Sequence, residues 1–133
     1  HKTIIFITHD LDEALKIGDR IAILRDGSMV QDSDPQKIIM KPADDYVSDF
    51  IKDINRARVI QAKSIMTPSK SKSSGATVKE DMVLEDILQI MSDAPSRPVT
   101  IENSRGKITG KIEMVNLIEG MKRPESQGTN ITG

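Results

Sequence analysis

The sequence lacks cysteine altogether and contains very few aromatic residues. The absence of cysteine in 133 residues excludes disulfide bonds and thiolate metal sites and permits a reducing compartment. Only Phe6, Tyr46 and Phe50 are aromatic, which is too few to stack single-stranded nucleic acid. No stretch approaches the roughly 20 apolar residues that a membrane-spanning helix requires. These absences favour a globular protein that does not cross a membrane.

The near-neutral net charge of −1 hides two oppositely charged halves. Residues 1–54 carry seven basic and eleven acidic side chains, whereas residues 55–133 carry twelve and nine. We therefore predict one domain over residues 1–54 and a second over residues 55–122 that begins with a basic linker. Residues 123–133 are predicted to be a flexible tail. A Ser- and Lys-rich segment, residues 69–75, is predicted to be a mobile loop.

The first half begins with an uninterrupted apolar run. Residues 3–8 combine β-branched and aromatic side chains, which predicts a strand that is buried on both faces of a parallel sheet. Such a strand normally lies in the middle of a sheet, so we expect this chain to begin inside a larger protein. Asp10 or Asp12 is expected to cap a following helix, and Asp26-Gly27 to form a hairpin turn. Further helices are predicted to follow Asp34-Pro35 and to cover residues 44–54.

His9 stands at the point where chemistry is expected. It directly follows the predicted strand, and open parallel sheets bind ligands beyond the carboxyl ends of their strands. A single histidine is a weak signal, and on spacing alone a structural role at the start of a helix explains His9 better. No cluster of residues predicts a metal site.

Three segments in the same order nevertheless resemble a known family. Residues 3–14, TIIFITHDLDEA, resemble the switch-histidine segment of an ABC-transporter ATPase, and residues 19–27, DRIAILRDG, resemble the strand pair that follows it. Residues 42–51, PADDYVSDFI, are similar to importers of glycine betaine, proline and related osmoprotectants. The resemblance implies that His9 contacts the γ-phosphate of ATP and helps to position the attacking water.

The same family requires parts that this sequence does not contain. A phosphate-binding loop of the form G-x-x-x-x-G-K-[ST] is absent, because Ile108 and Ile112 follow the two Gly-Lys pairs. The resemblance implies that this loop and the Mg²⁺-binding strand precede His1 in an intact protein. We therefore expect the chain to be inactive alone, although the parent would use ATP and Mg²⁺. The parent would bind transmembrane subunits and lie peripherally on the cytoplasmic face of the cell membrane.

The second half has a different pattern, which predicts a mixed α/β fold. Strand–helix–strand–strand–helix elements are expected over residues 76–121, and Glu80 or Asp81 is expected to cap the first of these helices. The last helix has an apolar stripe formed by Met114, Val115, Leu117, Ile118 and Met121. The methionines are expected in the core or in a dimer interface.

With Ile65-Met66-Thr67 in front and Gly110 before the last helix, this β-α-β-β-α order resembles a CBS domain. The resemblance implies that domains pair through their strand faces and bind adenine nucleotides in the cleft between them. The candidate cleft residues are Thr67, Pro98 and Asn116. Because the sequence has one copy and a small domain buries little core, we predict a homodimer in which a second chain covers the exposed sheet.

Glu113 argues against nucleotide binding at this cleft. The ribose- and phosphate-binding motif of this family has Ser or Thr at the position of Glu113. A carboxylate next to a phosphate costs on the order of 1 kcal/mol at 4 Å even in water. These residues are thus more simply read as the start of a helix, and nucleotide binding stays the second hypothesis.

The basic linker has two interpretations. It contains six cations between residues 56 and 79, and no acidic residue lies among them in the sequence. Runs of like charge are usually solvated surface. Alternatively, they contact an anionic membrane surface in a salt-dependent manner. The six residues are Arg56, Arg58, Lys63, Lys70, Lys72 and Lys79.

The main hypothesis is thus a fragment of an osmoprotectant ABC importer's ATP-binding subunit, with the CBS domain as its regulatory or sensor part. The alternative is a non-enzymatic CBS module that binds adenine nucleotides. A nucleic-acid binder is disfavoured by the neutral charge and the few aromatic residues.

Overall fold

The computed structural model describes residues 2–123. They fall into two compact units, residues 2–54 and Asn55–Arg123. Both units contain helices and strands, so the predicted mixed α/β class is confirmed. The flexible tail predicted over residues 123–133 lies outside the described residues except for Arg123.

The apolar run of residues 3–8 does not form the predicted strand. The segment has no regular secondary structure, and Ile4, Ile5 and Ile7 are 82 %, 86 % and 92 % exposed. A strand exists only when its backbone N–H and C=O groups pair with a neighbour. In the described part of this unit, the one sheet is a hairpin further along the chain. The described hairpin does not pair with residues 3–8, so their strong β propensity does not produce a strand.

The first helix, α1, spans Leu11–Ile17. Asp10 caps it as predicted, because its Oδ1 accepts a hydrogen bond from the Glu13 backbone N over 3.3 Å. Leu11 and Leu15 are the buried residues of this helix. Gly18 ends it through a hydrogen bond from its backbone N to Ala14 O.

Strands β1, Ile21–Arg25, and β2, Ser28–Ser33, pair antiparallel in the predicted hairpin. The turn residues Asp26 and Gly27 both have positive φ, 50° and 79°. Two consecutive positive φ values characterise a type I′ turn, which Asp-Gly favours because glycine adopts this region without strain.

Two helices follow the hairpin, α2 over Pro35–Met40 and α3 over Asp45–Ile51. The Asp34 and Asp44 carboxylates cap them by accepting the backbone N–H groups of Lys37 and Val47, each over 2.9 Å. Helix α3 ends three residues earlier than the predicted Ile54. The buried apolar side chains of this unit are Leu11, Leu15, Ile21, Ile23, Ile38, Ile39, Val47 and Ile51.

The second unit begins with two short helices, α4 over Arg56–Val59 and α5 over Ala62–Ile65. The elements predicted for the second half begin at residue 76 and do not include α4. Each helix has four residues, too few for a periodic apolar stripe to be recognised. Both are held by burial, since Val59, Ile60 and Ala62 lie in the core.

A four-stranded sheet forms the centre of this unit. Its spatial order is β3-β6-β5-β4, and only the β4–β5 pair is parallel. The strands are β3 Thr67–Pro68, β4 Thr77–Lys79, β5 Val99–Glu102 and β6 Ile108–Ile112. Val99, Thr100 and Ile101 of the central strand β5 are all buried. The expectation of an exposed apolar sheet is thus wrong for β5.

Helices α6, Leu84–Met91, and α7, Met114–Met121, complete the predicted β-α-β-β-α order. Helix α6 starts without the expected acidic cap, since Val83 occupies the N-cap position and makes no side-chain hydrogen bond there. The preceding backbone is engaged elsewhere: Met82 O and Glu80 O accept from the backbone N–H groups of Ala62 and Lys63. These backbone hydrogen bonds hold residues 80–82 outside the helix, so α6 begins after Glu80 and Asp81.

Helix α7 buries fewer residues than its apolar stripe suggests. Leu117 and Gly120 are its buried positions, whereas Val115, Ile118 and Met121 are exposed. Gly120 is required for close packing, because an added Cβ would lie 2.8 Å from Cγ2 of Ile65.

The Ser- and Lys-rich segment of residues 69–75 is fastened to the sheet. The Ser73 backbone N–H donates to Oγ1 of the fully buried Thr100 over 2.7 Å. The Gly75 backbone N–H donates to Pro98 O over 3.1 Å. The segment predicted as a mobile loop is therefore held by two hydrogen bonds, one to Thr100 on β5 and one to Pro98 just before it.

Candidate functional site

His9 is exposed on a turn that local hydrogen bonds define. The Asp10 backbone N–H donates to Thr8 Oγ1 over 3.0 Å, and the Thr8 hydroxyl lies 3.4 Å from Glu13 Oε2. Together with the Asp10 cap, these bonds set the backbone on both sides of His9. The imidazole is thus presented to solvent beside the start of α1, where a ligand can reach it.

His9 by itself does not form a nucleotide or metal site. Within residues 2–123, no group of three or more His, Asp or Glu side chains is arranged to hold a metal ion. The nearby carboxylates Asp10 and Glu13 already take part in the capping arrangement of α1. Around His9, the described residues therefore offer no cluster of side chains that could hold a metal ion.

A second group of candidate residues meets at one edge of the four-stranded sheet. The Asn116 side-chain amide, in the first turn of α7, donates from Nδ2 to Thr67 Oγ1 on β3 over 3.4 Å. Its Oδ1 accepts from the Glu113 backbone N–H over 2.7 Å. The structure thus brings Asn116 and Thr67 together, and Asn116 also stabilises the start of its own helix.

Pro98, the third candidate, immediately precedes the central strand β5, two strands away from β3, and makes no direct contact with this pair among the hydrogen bonds described. Val99 pairs with Ile112, so Pro98 sits beside the position where β6 continues into Glu113. Its carbonyl oxygen holds the Gly75 backbone. Pro98 therefore anchors the Ser- and Lys-rich segment at the start of β5, and the structure does not bring it to the edge that Thr67 and Asn116 share.

Glu113 has a nearby cation that the sequence argument overlooked. Its Oε1 lies 4.0 Å from Lys111 Nζ, and both side chains are more than a third exposed. Lys111 itself pairs in register with Thr67 on one side and Thr100 on the other. Solvent weakens such a pair, so Lys111 offsets only part of the repulsion between Glu113 and an anionic ligand.

Gly110 makes this edge possible by allowing β3 to approach β6. A Cβ at this position would lie 2.6 Å from Met66 Sδ and 2.9 Å from Thr67 O. Gly110 was singled out only as part of the CBS pattern, and nothing in the sequence showed that Met66 and Thr67 are its neighbours. The contact joins residues more than 40 positions apart, which sequence periodicity does not reveal.

Three of the six basic residues of the linker, for which a membrane contact is the alternative to solvated surface, have partners within the chain. Arg56 Nε donates to Gly120 O over 3.2 Å, Arg58 Nε lies 3.4 Å from Glu85, and Lys79 Nζ lies 2.8 Å from Glu102. Burial, followed by the like charge of Arg123, lowers the pKa of Arg56. Lys63, Lys70 and Lys72 are exposed, and Arg58 and Lys79 keep more than half of their side chains exposed despite their ion pairs.

No helix among the described residues has both the length and the apolar character needed to cross a bilayer.

Comparison with known proteins reveals similar sequences, although no protein-family model matches the chain. The glycine betaine/carnitine transport ATP-binding protein GbuA of Listeria monocytogenes is 58 % identical over 65 residues, which are 49 % of the chain and 16 % of GbuA. The glycine betaine transport ATP-binding protein OpuAA of Bacillus subtilis is 39 % identical over 111 residues, which are 84 % of the chain and 25 % of OpuAA.

A third relative is the glycine betaine/proline betaine transport system ATP-binding protein ProV of Escherichia coli, 50 % identical over 64 residues. That match covers 48 % of the chain and 16 % of ProV. The chain thus spans a quarter or less of the length of these three relatives.

Proposed function

Because the chain is homologous to part of the ATP-binding subunits of ABC transporters for glycine betaine and related compounds, we propose that it works as a segment of such a subunit. In the intact protein, ATP hydrolysis would drive uptake of a quaternary-amine osmoprotectant. The observation that supports this most strongly is the similarity to OpuAA, which extends over 84 % of the chain. It favours this function over a purely non-enzymatic binding module, since the relatives are ATP-binding proteins by name.

His9 is proposed as the catalytic contribution of residues 1–54. Its exposed imidazole on a turn pinned by Thr8 and Asp10 supports a contact with the terminal phosphate of ATP and with the attacking water. ATP and Mg²⁺ supply the phosphoryl chemistry when bound. The chain would contribute this one side chain, and residues of the subunit outside the chain would hold the nucleotide.

Residues 55–122 are proposed to be a CBS-type regulatory domain. The β-α-β-β-α order and the approach of Asn116 to Thr67 support this assignment. An adenine nucleotide near Thr67, Pro98 and Asn116 is proposed as a weak ligand, because the negatively charged Glu113 adjoins Asn116 through its backbone N–H. Pairing with a second copy through this domain would complete the regulatory unit.

The intact subunit is proposed to lie on the cytoplasmic face of the membrane, bound to transmembrane subunits. An additional contact of this domain with anionic lipids would rest on Lys63, Lys70 and Lys72, since Arg56, Arg58 and Lys79 are engaged within the chain. Each lysine near an anionic surface contributes about 1 kcal/mol. Salt screens such contacts, which would suit a transporter that answers osmotic stress.

Replacement of His9 tests the catalytic proposal. In an intact subunit that contains this segment, His9→Ala should abolish ATP hydrolysis and leave ATP binding in place, because the nucleotide is held by other residues. The exposed Lys2 provides a matched control, and Lys2→Ala should retain hydrolysis. Normal turnover by the His9→Ala subunit, or turnover by the isolated chain, would refute the proposal.

Vesicle co-sedimentation tests the membrane contact. The chain should bind anionic vesicles at low salt, bind neutral vesicles less, and dissociate as salt rises. Changing Lys63, Lys70 and Lys72 to Gln should weaken binding more than the same change at the exposed lysines Lys2, Lys16 and Lys37. Equal binding to anionic and neutral vesicles at low salt would remove this contact from the proposal.

A further inference from the structure

Three residues on either side of His9 form a closed cycle of hydrogen bonds. The Thr8 hydroxyl donates to Glu13 Oε2 over 3.4 Å, the Glu13 backbone N–H donates to Asp10 Oδ1 over 3.3 Å, and the Asp10 backbone N–H donates to Thr8 Oγ1 over 3.0 Å. Each residue of this cycle is both a donor and an acceptor, and bonds connected in this way strengthen one another. His9 lies between Thr8 and Asp10, so the cycle closes around it.

Thr8 holds the cycle together, because its hydroxyl takes part in two of the three bonds. The shorter of these, from the Asp10 N–H, spans His9 from one side to the other and thereby restricts its backbone dihedral angles. Thr8 is half-buried, whereas residues 2–7 before it are exposed. Its β-branched side chain also has few rotamers, so little entropy is lost in keeping the hydroxyl in place.

The direction of the His9 side chain depends on this backbone. The imidazole is exposed, so the segment on which it stands is the main restraint on where it points. A catalytic group has to be held accurately, since a misplacement of about 1 Å can cost on the order of a hundredfold in rate. The cycle therefore supplies the preorganisation that an exposed catalytic side chain needs.

We propose that Thr8 is a positioning residue for His9, with Glu13 as its support. The Thr8 hydroxyl fixes the backbone from which the imidazole projects, and the Glu13 carboxylate fixes the direction of that hydroxyl. The inference rests on the proposed function, in which His9 contacts the terminal phosphate of ATP, and it adds two side chains that act through His9. Neither has to touch the nucleotide, so their loss should slow turnover without weakening ATP binding.

Steady-state ATP hydrolysis by an intact subunit that contains this segment tests the assignment. Thr8→Val keeps the shape of the side chain and removes both bonds of the hydroxyl, so kcat should fall about tenfold while KM for ATP changes by less than about twofold. Thr8→Ser keeps the hydroxyl and should restore most of the turnover. Glu13→Leu loses only the 3.4 Å bond and should lower kcat by roughly threefold.

Two neighbouring positions provide matched controls. Thr3 is exposed in the same segment, and Asp12 stands beside Glu13 in the first turn of α1. Neither belongs to the cycle, so Thr3→Val and Asp12→Leu should keep the wild-type kcat.

Amide exchange, measured by NMR in the 133-residue chain, reads the cycle without any activity. Exchange at Asp10 should be faster in Thr8→Val and unchanged in Thr8→Ser, because only the first variant lacks the acceptor of the Asp10 N–H. Unchanged exchange in Thr8→Val would show that the cycle does not restrain His9.

The kinetic outcomes separate this inference from the proposed function. An unchanged kcat in Thr8→Val, together with an inactive His9→Ala subunit, overturns the positioning role and leaves the role of His9 in place. A rise in KM as large as the fall in kcat also overturns it, because that result indicates weaker ATP binding. A Thr8→Ser variant as slow as Thr8→Val overturns it too, since the hydroxyl is then not the group required. Normal turnover by His9→Ala refutes the proposed function itself.

Discussion

Asn116 connects two elements through one side-chain amide, donating to Thr67 Oγ1 on β3 over 3.4 Å while accepting from the backbone N–H of Glu113 over 2.7 Å. Asn116→Ala removes both bonds, and we expect a loss of about 1 kcal/mol in the free energy of unfolding of this unit. Urea unfolding monitored at residues of α7 measures the loss. Asn55 makes no side-chain cap hydrogen bond, so Asn55→Ala serves as the control. Equal effects of the two changes would contradict a role for the Asn116 amide.

Gly110 is expected to tolerate no side chain. Gly110→Ala would place Cβ 2.9 Å from the Thr67 backbone oxygen, so β3 has to move away from β6, with a cost of roughly 1–3 kcal/mol. Amide exchange at Lys111 and thermal unfolding of the chain measure the effect. Gly27 and Gly106 have open space around the Cβ position, although their positive φ makes Ala strained there as well. Ala76→Gly, at the exposed end of the loop, is the milder control. Gly110→Ala should lower the free energy of unfolding clearly more than Ala76→Gly does.

Thr100 holds the Ser- and Lys-rich segment through its hydroxyl. Thr100→Val keeps the buried shape but leaves the Ser73 N–H without its acceptor, which is 2.7 Å away. We expect a destabilisation of about 1 kcal/mol and faster amide exchange at Ser73. Thr77→Val on the exposed face of β4 is the matched change and should leave Ser73 protected. Unchanged exchange at Ser73 in the Thr100 variant would show that this hydrogen bond does not anchor the segment.

Gln31 joins β2 to the connection between α2 and α3. Its Oε1 accepts from the Ala43 N–H over 2.9 Å, and its Nε2 donates to Lys41 O over 3.2 Å. Gln31→Glu replaces the donor by a carboxylate oxygen, and we expect a loss of about 1–2 kcal/mol at neutral pH.

The loss at Gln31→Glu should depend on pH in a defined direction. Contact with Lys41 O disfavours the charged form of the new Glu, so the penalty is largest where that carboxylate is ionised. The protonated acid donates again, and the penalty therefore falls as the pH drops through that range. Gln89→Glu on exposed α6 controls for the added charge. A penalty at Gln31→Glu that does not change with pH would rule out the donor role of the amide.

Glu113 is expected to oppose the binding of anionic ligands at the Thr67–Asn116 edge. Glu113→Ser should raise the affinity for AMP about fivefold, because a repulsion on the order of 1 kcal/mol at 4 Å is removed. Isothermal titration calorimetry of wild type and variant measures the change. Glu119→Ser removes an acidic residue further along α7 and should leave the affinity unchanged. If the Glu113→Ser variant binds AMP no more tightly than the wild type, the repulsion assigned to Glu113 is wrong.

Elements with local signals were predictable from the sequence. Asp10, Asp34 and Asp44 cap helices by bonds that span three residues, and Asp26-Gly27 forms its turn through its own backbone preferences. The strand–helix–strand–strand–helix order of the second unit followed from apolar periodicity. Asn116 and Thr67 were named as candidates only through the resemblance to a family.

Long-range contacts decided the rest, because they depend on residues that sequence spacing does not connect. The run Ile4–Ile7 has the composition of a buried strand, yet a strand forms only where another backbone supplies hydrogen bonds, and here the run is exposed. The apolar stripe of α7 was visible in the sequence, but only packing against Ile65 and Leu84 determined that Gly120 faces inward and Ile118 outward. The sequence alone determined the aspartate caps of α1, α2 and α3, the hairpin turn and the kinship with osmoprotectant transporters. The tertiary structure decided which apolar residues are covered, which cations are engaged, and which surface is left for a partner.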